Sequence, residues 1–249
     1  MTHVEAIASG CVQGLTEFFP VSSSGHLVLL HRFFGLEKPR LLFDLFLHIG
    51  TTLAIVITFW KDLLNLFTRQ KRLLGLIVFG FLPTAVMGIL FAKSIESLFL
   101  SPRAVSISFL VTALWLWIGN RRWGPQRDLN AWRSLVIGVS QGIAMVPGIS
   151  RTGATVATGL LLGVAPQEAL RYSFLLAIPT IGAAFLYEMM AHPILLDVSK
   201  GSLLLGFWTS LGVGLFAIRT LRGLTQQRRL NFFSFYLVAL GTVGLIYFR

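Results

Sequence analysis

The chain is divided into long stretches without a charged residue, and that constrains it more than any other feature. Such stretches run Leu45–Trp60, Leu73–Ala92, Ala104–Asn120, Ser134–Ser150, Thr152–Gln167, Tyr172–Tyr187, Gly201–Ile218 and Leu230–Phe248. A membrane-spanning helix needs roughly 17–25 apolar residues, so most of these can cross a bilayer. Charged residues make up only 12% of the 249 residues, about half the usual share of a soluble domain. Too few charges remain to coat a soluble surface, which excludes an ordinary soluble enzyme and a disordered chain. The length suits one integral membrane domain. Cys11 is the single cysteine, so no internal disulfide is available. The N-terminus lacks a basic segment, so no cleaved signal peptide is expected.

Two regions break this pattern. Residues 6–31 are interrupted by Gly10, Gly14, Pro20, Ser22, Ser23, Ser24 and Gly25. Residues 134–163 are interrupted by Gly138, Gly142, Pro147, Gly148, Arg151 and Gly153. Each half is too short to span, and reads as a short helix, a tight turn and a second short helix. Such a hairpin is tolerated at membrane depth only when packed against protein or lining a cavity. The two regions match in order, with Gln13-Gly14, Pro20 and Gly25 answered by Gln141-Gly142, Pro147 and Gly153. The match predicts an internal repeat, with halves at approximately 1–120 and 130–249.

Positive charge supplies an orientation. The loops holding Lys61, Arg69, Lys71 and Arg72, then Arg121, Arg122, Arg127 and Arg133, then Arg219, Arg222, Arg228 and Arg229 carry twelve basic residues. The alternate loops carry six: Arg32, Lys38, Arg40, Lys93, Arg103 and Lys200. The positive-inside rule places the first set in the cytoplasm. The fold expected is an all-α polytopic membrane protein with six transmembrane helices plus two re-entrant helical hairpins. Three spans per half is an odd number, so the repeat is inverted and the hairpin tips meet near the midplane. Because the basic residues alternate across the membrane, nucleic acid is not an expected partner.

The tips carry the candidate chemistry. Gln13 and Glu17 lie one helical turn apart on a shared face. Glu17 is a carboxylate inside an otherwise uncharged segment, where it needs a partner or a cavity. Ser22, Ser23 and Ser24 offer hydroxyls before a helix start, and one serine would suffice as a cap. His26 is within a turn of Ser22 and Ser23, and can move a serine proton. At the second tip Arg151 is the one charge between Ser134 and Gln167, and its planar fork matches phosphate oxygens. Ser150, Thr152 and Thr155 add hydroxyls, while Gly148 and Gly153 allow backbone N–H groups to approach a ligand. A Glu17–Arg151 ion pair joining the hairpins is the structural alternative, compatible with a site. The inventory suits phosphoryl chemistry on a lipid head group. Glu17 with Gln13 is a candidate oxygen site for Mg²⁺ or Ca²⁺.

At these residues the chain resembles the bacitracin-resistance family of undecaprenyl-diphosphate phosphatases. That family combines a Glu/Gln-x-x-x-Glu motif running into Pro-x-Ser-Ser-x-Gly-His with a Pro-Gly-x-Ser-Arg-x-Gly-x-Thr motif. Gln13–His26 and Pro147–Thr155 match in order and spacing, and the resemblance continues through Phe43-Asp44, Gly50-Thr51 and Ser173–Pro179. Position 13 is Gln where many members have Glu, and position 152 is Thr where Ser is common.

The resemblance implies hydrolysis of undecaprenyl diphosphate to undecaprenyl phosphate and inorganic phosphate on the outer side of the bacterial cytoplasmic membrane. It implies Glu17, Ser23, His26 and Arg151 as catalytic residues. Gln13, Ser22, Ser24, Ser150, Thr152, Gly153 and Thr155 are expected to bind substrate. The expected mechanism has Ser23 attacking and His26 relaying its proton, with water held by the metal as the alternative nucleophile. The expected partners are a polyprenyl diphosphate lipid, membrane lipids and a second copy in a homodimer. A transporter is the main rival, since inverted repeats with broken helices are a transporter architecture. The other class of membrane lipid phosphatase needs a second histidine six residues after its arginine, and position 157 here is Ala157.

Several residues outside the motifs have simpler expectations. Asp44 and His48 either line the site or pair across one turn. His3, His31 and His192 are expected in loops or interfaces, and Glu188 at a span end. Trp60, Trp115, Trp117, Trp123 and Trp132 fit an interfacial belt. Gly206, Gly212 and Gly214 are expected to serve close helix packing.

Overall fold

The computed structural model describes residues 1–35, 41–121, 126–191, 198–227 and 229–248. Lys38, Arg40, Arg122, Trp123, His192, Arg228 and the Glu188 side chain fall outside the described part. Among the described residues there are eleven helices and no strand. In chain order they are α1 (His3–Thr16), α2 (Ser23–Phe33), α3 (Leu41–Thr58), α4 (Trp60–Thr68), α5 (Lys71–Leu98) and α6 (Pro102–Arg121). Then follow α7 (Ala131–Ile143), α8 (Arg151–Leu161), α9 (Pro166–Ala191), α10 (Lys200–Gln226) and α11 (Asn231–Tyr247).

The long uncharged stretches become the long helices. Four of these, α5, α6, α9 and α10, are long and apolar enough to cross a membrane. A fifth crossing arises if α3 and α4, bent by 68° at their junction, count as one span. The apolar α11 is 17 residues long. Helix α5 exposes Val78, Leu82, Val86, Ile89 and Leu90, an outer face suited to lipid rather than water. The bend at Phe59 was not expected, because Leu45–Trp60 reads as one continuous segment. Lys61 and Asp62 follow immediately, and charges there favour the interface over the hydrocarbon core. Helix α4 exposes Trp60, Leu64 and Phe67 while burying Leu66. That one-sided pattern is typical of a helix lying along an interface.

The two broken regions form two helical hairpins, α1–α2 and α7–α8, as their punctuation predicts. Their helices are 14, 11, 13 and 11 residues long, too short to span singly. Each hairpin's first helix packs on a long helix of the other half through small residues. A Cβ on Gly10 would lie 2.8 Å from the Gly206 carbonyl oxygen, and one on Gly14 would lie 2.9 Å from that of Ser210. Likewise a Cβ on Gly138 would collide with the Gly80 carbonyl, and one on Gly142 with Met87. Small residues thus let α1 approach α10 and α7 approach α5 backbone to backbone. Gly206 and Gly214 serve packing as expected, against Phe43, Leu47 and Phe18, whereas Gly212 faces open space.

The core lies beside the tips. Phe18, in the first turn region, packs edge-on against Phe174 of α9 with ring centroids 5.6 Å apart. Phe59 meets the same Phe174 ring at 5.6 Å. These aromatics, with Ala54, Val156, Leu175 and Ala217, form one buried cluster. Trp60, Trp117 and Trp132 are exposed, as a belt requires. Trp115 is turned inward instead and donates to Thr158 Oγ1 at 3.2 Å.

Candidate active site at the meeting of two hairpin tips

Both second helices begin with a serine cap. Ser22 Oγ accepts from the Gly25 N–H at 3.3 Å, and Ser150 Oγ accepts from the Gly153 N–H at 3.0 Å. Each cap satisfies one otherwise unpaired donor of a helix N-terminus. The residue after each cap is the first of its helix: Ser23 opens α2 and Arg151 opens α8. The two side chains singled out for chemistry therefore stand at the positive ends of two helices, where anions are stabilised.

The tips are pinned to each other. Ser22 Oγ also accepts from the Gly148 N–H at 3.1 Å. Thr152 Oγ1 donates to the Glu17 carbonyl at 3.2 Å. Thr112 of α6 clamps the second tip, donating to the Gly148 carbonyl and accepting from the Ser150 N–H, both at 3.1 Å. Gly148 has φ +91°, a conformation that favours glycine. Ser22 holds φ +71° although it is not glycine. That strain costs on the order of 1–3 kcal/mol and persists because both tips bond to its hydroxyl.

Glu17 is the hub, buried with 7% exposure. Its Oε1 accepts from Arg151 Nη2 at 2.7 Å. Its Oε2 accepts from Ser23 Oγ at 2.7 Å and from Gln13 Nε2 at 3.1 Å. His48 Nε2 stands 3.6 Å from the same oxygen. The ion-pair alternative and the site reading thus coincide. A buried carboxylate without Arg151 would be strongly destabilising.

Arg151 is supported from α9. Its Nη1 reaches the Ser173 carbonyl at 3.5 Å, and Ser173 Oγ bonds Thr155 Oγ1 at 2.6 Å. Thr155 also donates to the Arg151 carbonyl at 2.8 Å. In this arrangement the hydroxyls of Ser22, Ser150, Thr152 and Thr155 hold backbone and neighbours in place. Ser24 Oγ lies 3.3 Å from Ser22 Oγ.

His26 departs from the expectation. A helical turn places it near Ser23, but its Nδ1 donates to the Ser22 carbonyl at 2.7 Å. Its Nε2 lies 2.7 Å from Tyr236 Oη on α11. Both ring nitrogens are engaged, and Ser23 donates to Glu17 rather than to His26. Helix α2, packed on α1 and α6, is turned so that Ser23 faces Glu17 while His26 faces Tyr236.

Sequence reasoning left out Thr51, Ser173 and Tyr236, and left His48 open. Thr51 Oγ1 lies 3.4 Å from Gln13 Nε2, and Ser173 lies in a segment already matched to the family. Asp44 and His48 do not pair carboxylate to ring. His48 Nδ1 donates instead to the Asp44 carbonyl at 2.8 Å, and Asp44 Oδ1 stands 3.8 Å from His31. His31 is buried at 6% exposure rather than interfacial, within 3.4 Å of Ser9 Oγ.

The donor set bears on a metal. Gln13 Oε1 is buried without a hydrogen-bond partner among the described residues, while its Nε2 is the atom that faces the Glu17 carboxylate. Among the described residues no three His, Cys, Asp or Glu side chains cluster to hold an ion. With the Gln13 amide turned over, one carboxylate and one amide oxygen would suit a hard cation that takes its remaining oxygens from a phosphate substrate. They do not amount to a self-sufficient protein cage.

The apolar helices and the Glu–Arg–Ser cluster between two hairpin tips together describe an all-helical, multi-pass membrane protein. The chain belongs to the family described as bacitracin resistance protein BacA, whose model matches residues 6–243. It is 39% identical over 269 residues to an undecaprenyl-diphosphatase of Methanosphaera stadtmanae, covering 98% of this chain and 97% of that protein. It is 37% identical over 256 residues to an undecaprenyl-diphosphatase of Carboxydothermus hydrogenoformans, covering 99% and 97%. A third undecaprenyl-diphosphatase, of Korarchaeum cryptofilum, is 38% identical, covering 97% of each chain.

Proposed function

We propose that the protein hydrolyses undecaprenyl diphosphate to undecaprenyl phosphate and inorganic phosphate, recycling the lipid carrier of peptidoglycan synthesis and conferring bacitracin resistance. Family membership supports the activity. The observation that carries it is the Glu17 carboxylate bridging Ser23 Oγ and Arg151 Nη2, each at 2.7 Å.

In this reading an incoming terminal phosphate takes the Arg151 donors and the two helix N-termini. Glu17 is then left as acceptor for the Ser23 proton. Ser23 Oγ attacks the terminal phosphorus, an Oγ–P bond forms, and the bond from phosphorus to the bridging oxygen breaks, releasing undecaprenyl phosphate. Water then attacks the phosphoserine, inorganic phosphate leaves, and Ser23 regains its proton. Gln13 and Glu17 are the residues to hold a divalent cation with the substrate. Such an ion would neutralise phosphate charge and polarise the phosphoryl oxygens. His26, one turn after Ser23, stands toward the lipid-side phosphate.

The architecture proposed with this activity is six spans and two re-entrant hairpins in inverted halves. Each hairpin packs on the other half through glycines, and each tip begins its second helix with a serine cap. The excess of basic residues in alternate loops supports a cytoplasmic position for those loops, and in this reading the site opens toward the outer face of the cytoplasmic membrane.

Phosphate release from undecaprenyl diphosphate by detergent-solubilised protein tests the reading. Wild-type turnover should depend on divalent cation and be lost in Glu17→Ala and Arg151→Ala. Full turnover in both variants would place the chemistry elsewhere. A trapped phosphoserine supports Ser23 as nucleophile, whereas a Ser23→Ala variant that still turns over assigns the attack to water.

A further inference from the structure

Tyr236 lies on α11, beside Phe232 and Phe235, which are 65% and 68% exposed. Its own exposure is 46%, yet its hydroxyl turns inward to His26. On a lipid-facing helix a hydroxyl must find a partner, so the ring lies outward and the oxygen is used inside. The partner is 210 residues away in sequence.

The contact fixes more than a hydroxyl. The Ser22 carbonyl can only accept, so the proton of His26 in its neutral form sits on Nδ1. That leaves the Nε2 lone pair facing Tyr236, whose O–H donates to it. The ring also has aromatic neighbours. The Tyr236 ring runs nearly parallel to it, with 13° between planes and centroids 5.7 Å apart, and Phe109 meets it edge-on at 5.2 Å. Three elements, α2, α6 and α11, thus determine the tautomer and direction of one imidazole. This is the arrangement by which a second residue makes a histidine usable in proton transfer or hydrogen bonding.

We infer that Tyr236 is a positioning residue for the reaction: its hydroxyl holds His26 in the tautomer that presents Nε2 at the half-exposed edge of the site, where a diphosphate with its chain in lipid approaches. This rests on the phosphatase reading above. Tyr236 acts through His26 and needs no contact with the reacting phosphorus. A proton taken from solvent at this half-exposed edge makes Nε2 a donor, and the substrate's lipid-side phosphate then accepts from it in place of the tyrosine hydroxyl.

The experiment uses full-length protein in detergent. Tyr236→Phe keeps the aromatic ring and removes only the hydroxyl. Its kcat should fall about tenfold with KM little changed, the size expected for one lost hydrogen bond. In a double-mutant cycle, Tyr236→Phe should cost nothing further once His26→Ala is present. Independent, multiplicative losses would overturn the proposal, as would an unchanged kcat in Tyr236→Phe. A second readout needs no turnover. In ¹⁵N-histidine-labelled protein, Tyr236→Phe should move the His26 Nε2 resonance and leave the other four histidines in place. An unmoved His26 signal refutes the contact and with it the proposal. Wild-type protein that releases no phosphate would sink the phosphatase reading, while the nitrogen signal still decides the contact.

Discussion

Gln13 and Gln141 occupy the same place in their two hairpins. Gln13 Nε2 reaches Thr51 of α3 and Gln141 Nε2 reaches Thr180 of α9, at 3.4 and 2.8 Å. Both leave a buried amide oxygen without a partner. One turn later the hairpins part. The first has Glu17, and the second has Met145, whose methyl packs toward Gly88. After the matched serine caps the exchange reverses, with Ser23 in the first hairpin and Arg151 in the second. The two hairpins have this frame in common, but the carboxylate, hydroxyl and guanidinium are divided between them. A site built this way exists only where the tips meet, and each hairpin alone has half of it. Two arginines or two carboxylates facing each other there would repel, so the division is also what lets the tips approach.

The largest effects are expected at the ion pair. Arg151→Ala should lower turnover by roughly 10²–10³-fold, as loss of a preorganised charge-stabilising donor does. Glu17→Ala should do at least as much, because it removes the acceptor of the Ser23 hydroxyl as well as the partner of Arg151; either change leaves one charge of the pair unpartnered and costs about 3–5 kcal/mol of stability. Phosphate release and thermal unfolding in detergent read the two effects separately.

The two glutamines come next in expected effect. Gln13→Ala should cut turnover by about tenfold or more, since it removes a donor to Glu17. Gln141→Ala, facing Met145's side of the frame, should keep wild-type turnover and lose only stability, by about 1–3 kcal/mol. Equal loss of turnover in both would mean that the second hairpin carries chemistry too.

A packing change should treat the hairpins alike. Gly10→Ala and Gly138→Ala both drive a methyl into the facing helix, and each should cost about 1–3 kcal/mol in unfolding measurements. The smallest effect belongs to the caps. Ser150→Ala should cost about 1 kcal/mol, and Ser22→Ala somewhat more, because its hydroxyl also serves the Gly148 N–H. A larger loss in Ser150→Ala would show that the bond between tips contributes little.

Much of this frame is legible in the chain. Interrupting glycines, prolines and serines locate both hairpins, because backbone breaks at membrane depth leave few alternatives. A lone Glu17 and a lone Arg151 in apolar surroundings announce each other, because neither charge can be left unpaired there. Local spacing was less informative about direction. Ser23 and His26 share a helical turn, yet one faces Glu17 and the other Tyr236. Spacing places both side chains on neighbouring faces of α2 but leaves open which way that helix is turned.

The membrane class, the two hairpins, the serine caps and the residues that had to meet can all be read along the chain. Hydrocarbon penalises every unpaired charge and every open backbone group, so the exceptions are few and visible. That Glu17 rather than His26 receives the Ser23 hydroxyl, that His48 and Tyr236 join the site, and that α3 bends into α4 emerges only in the folded molecule. Those outcomes depend on helix rotation and on contacts spanning 134 residues for Glu17–Arg151 and 210 for His26–Tyr236. Packing across the halves sets such contacts, and no local pattern along the chain encodes it.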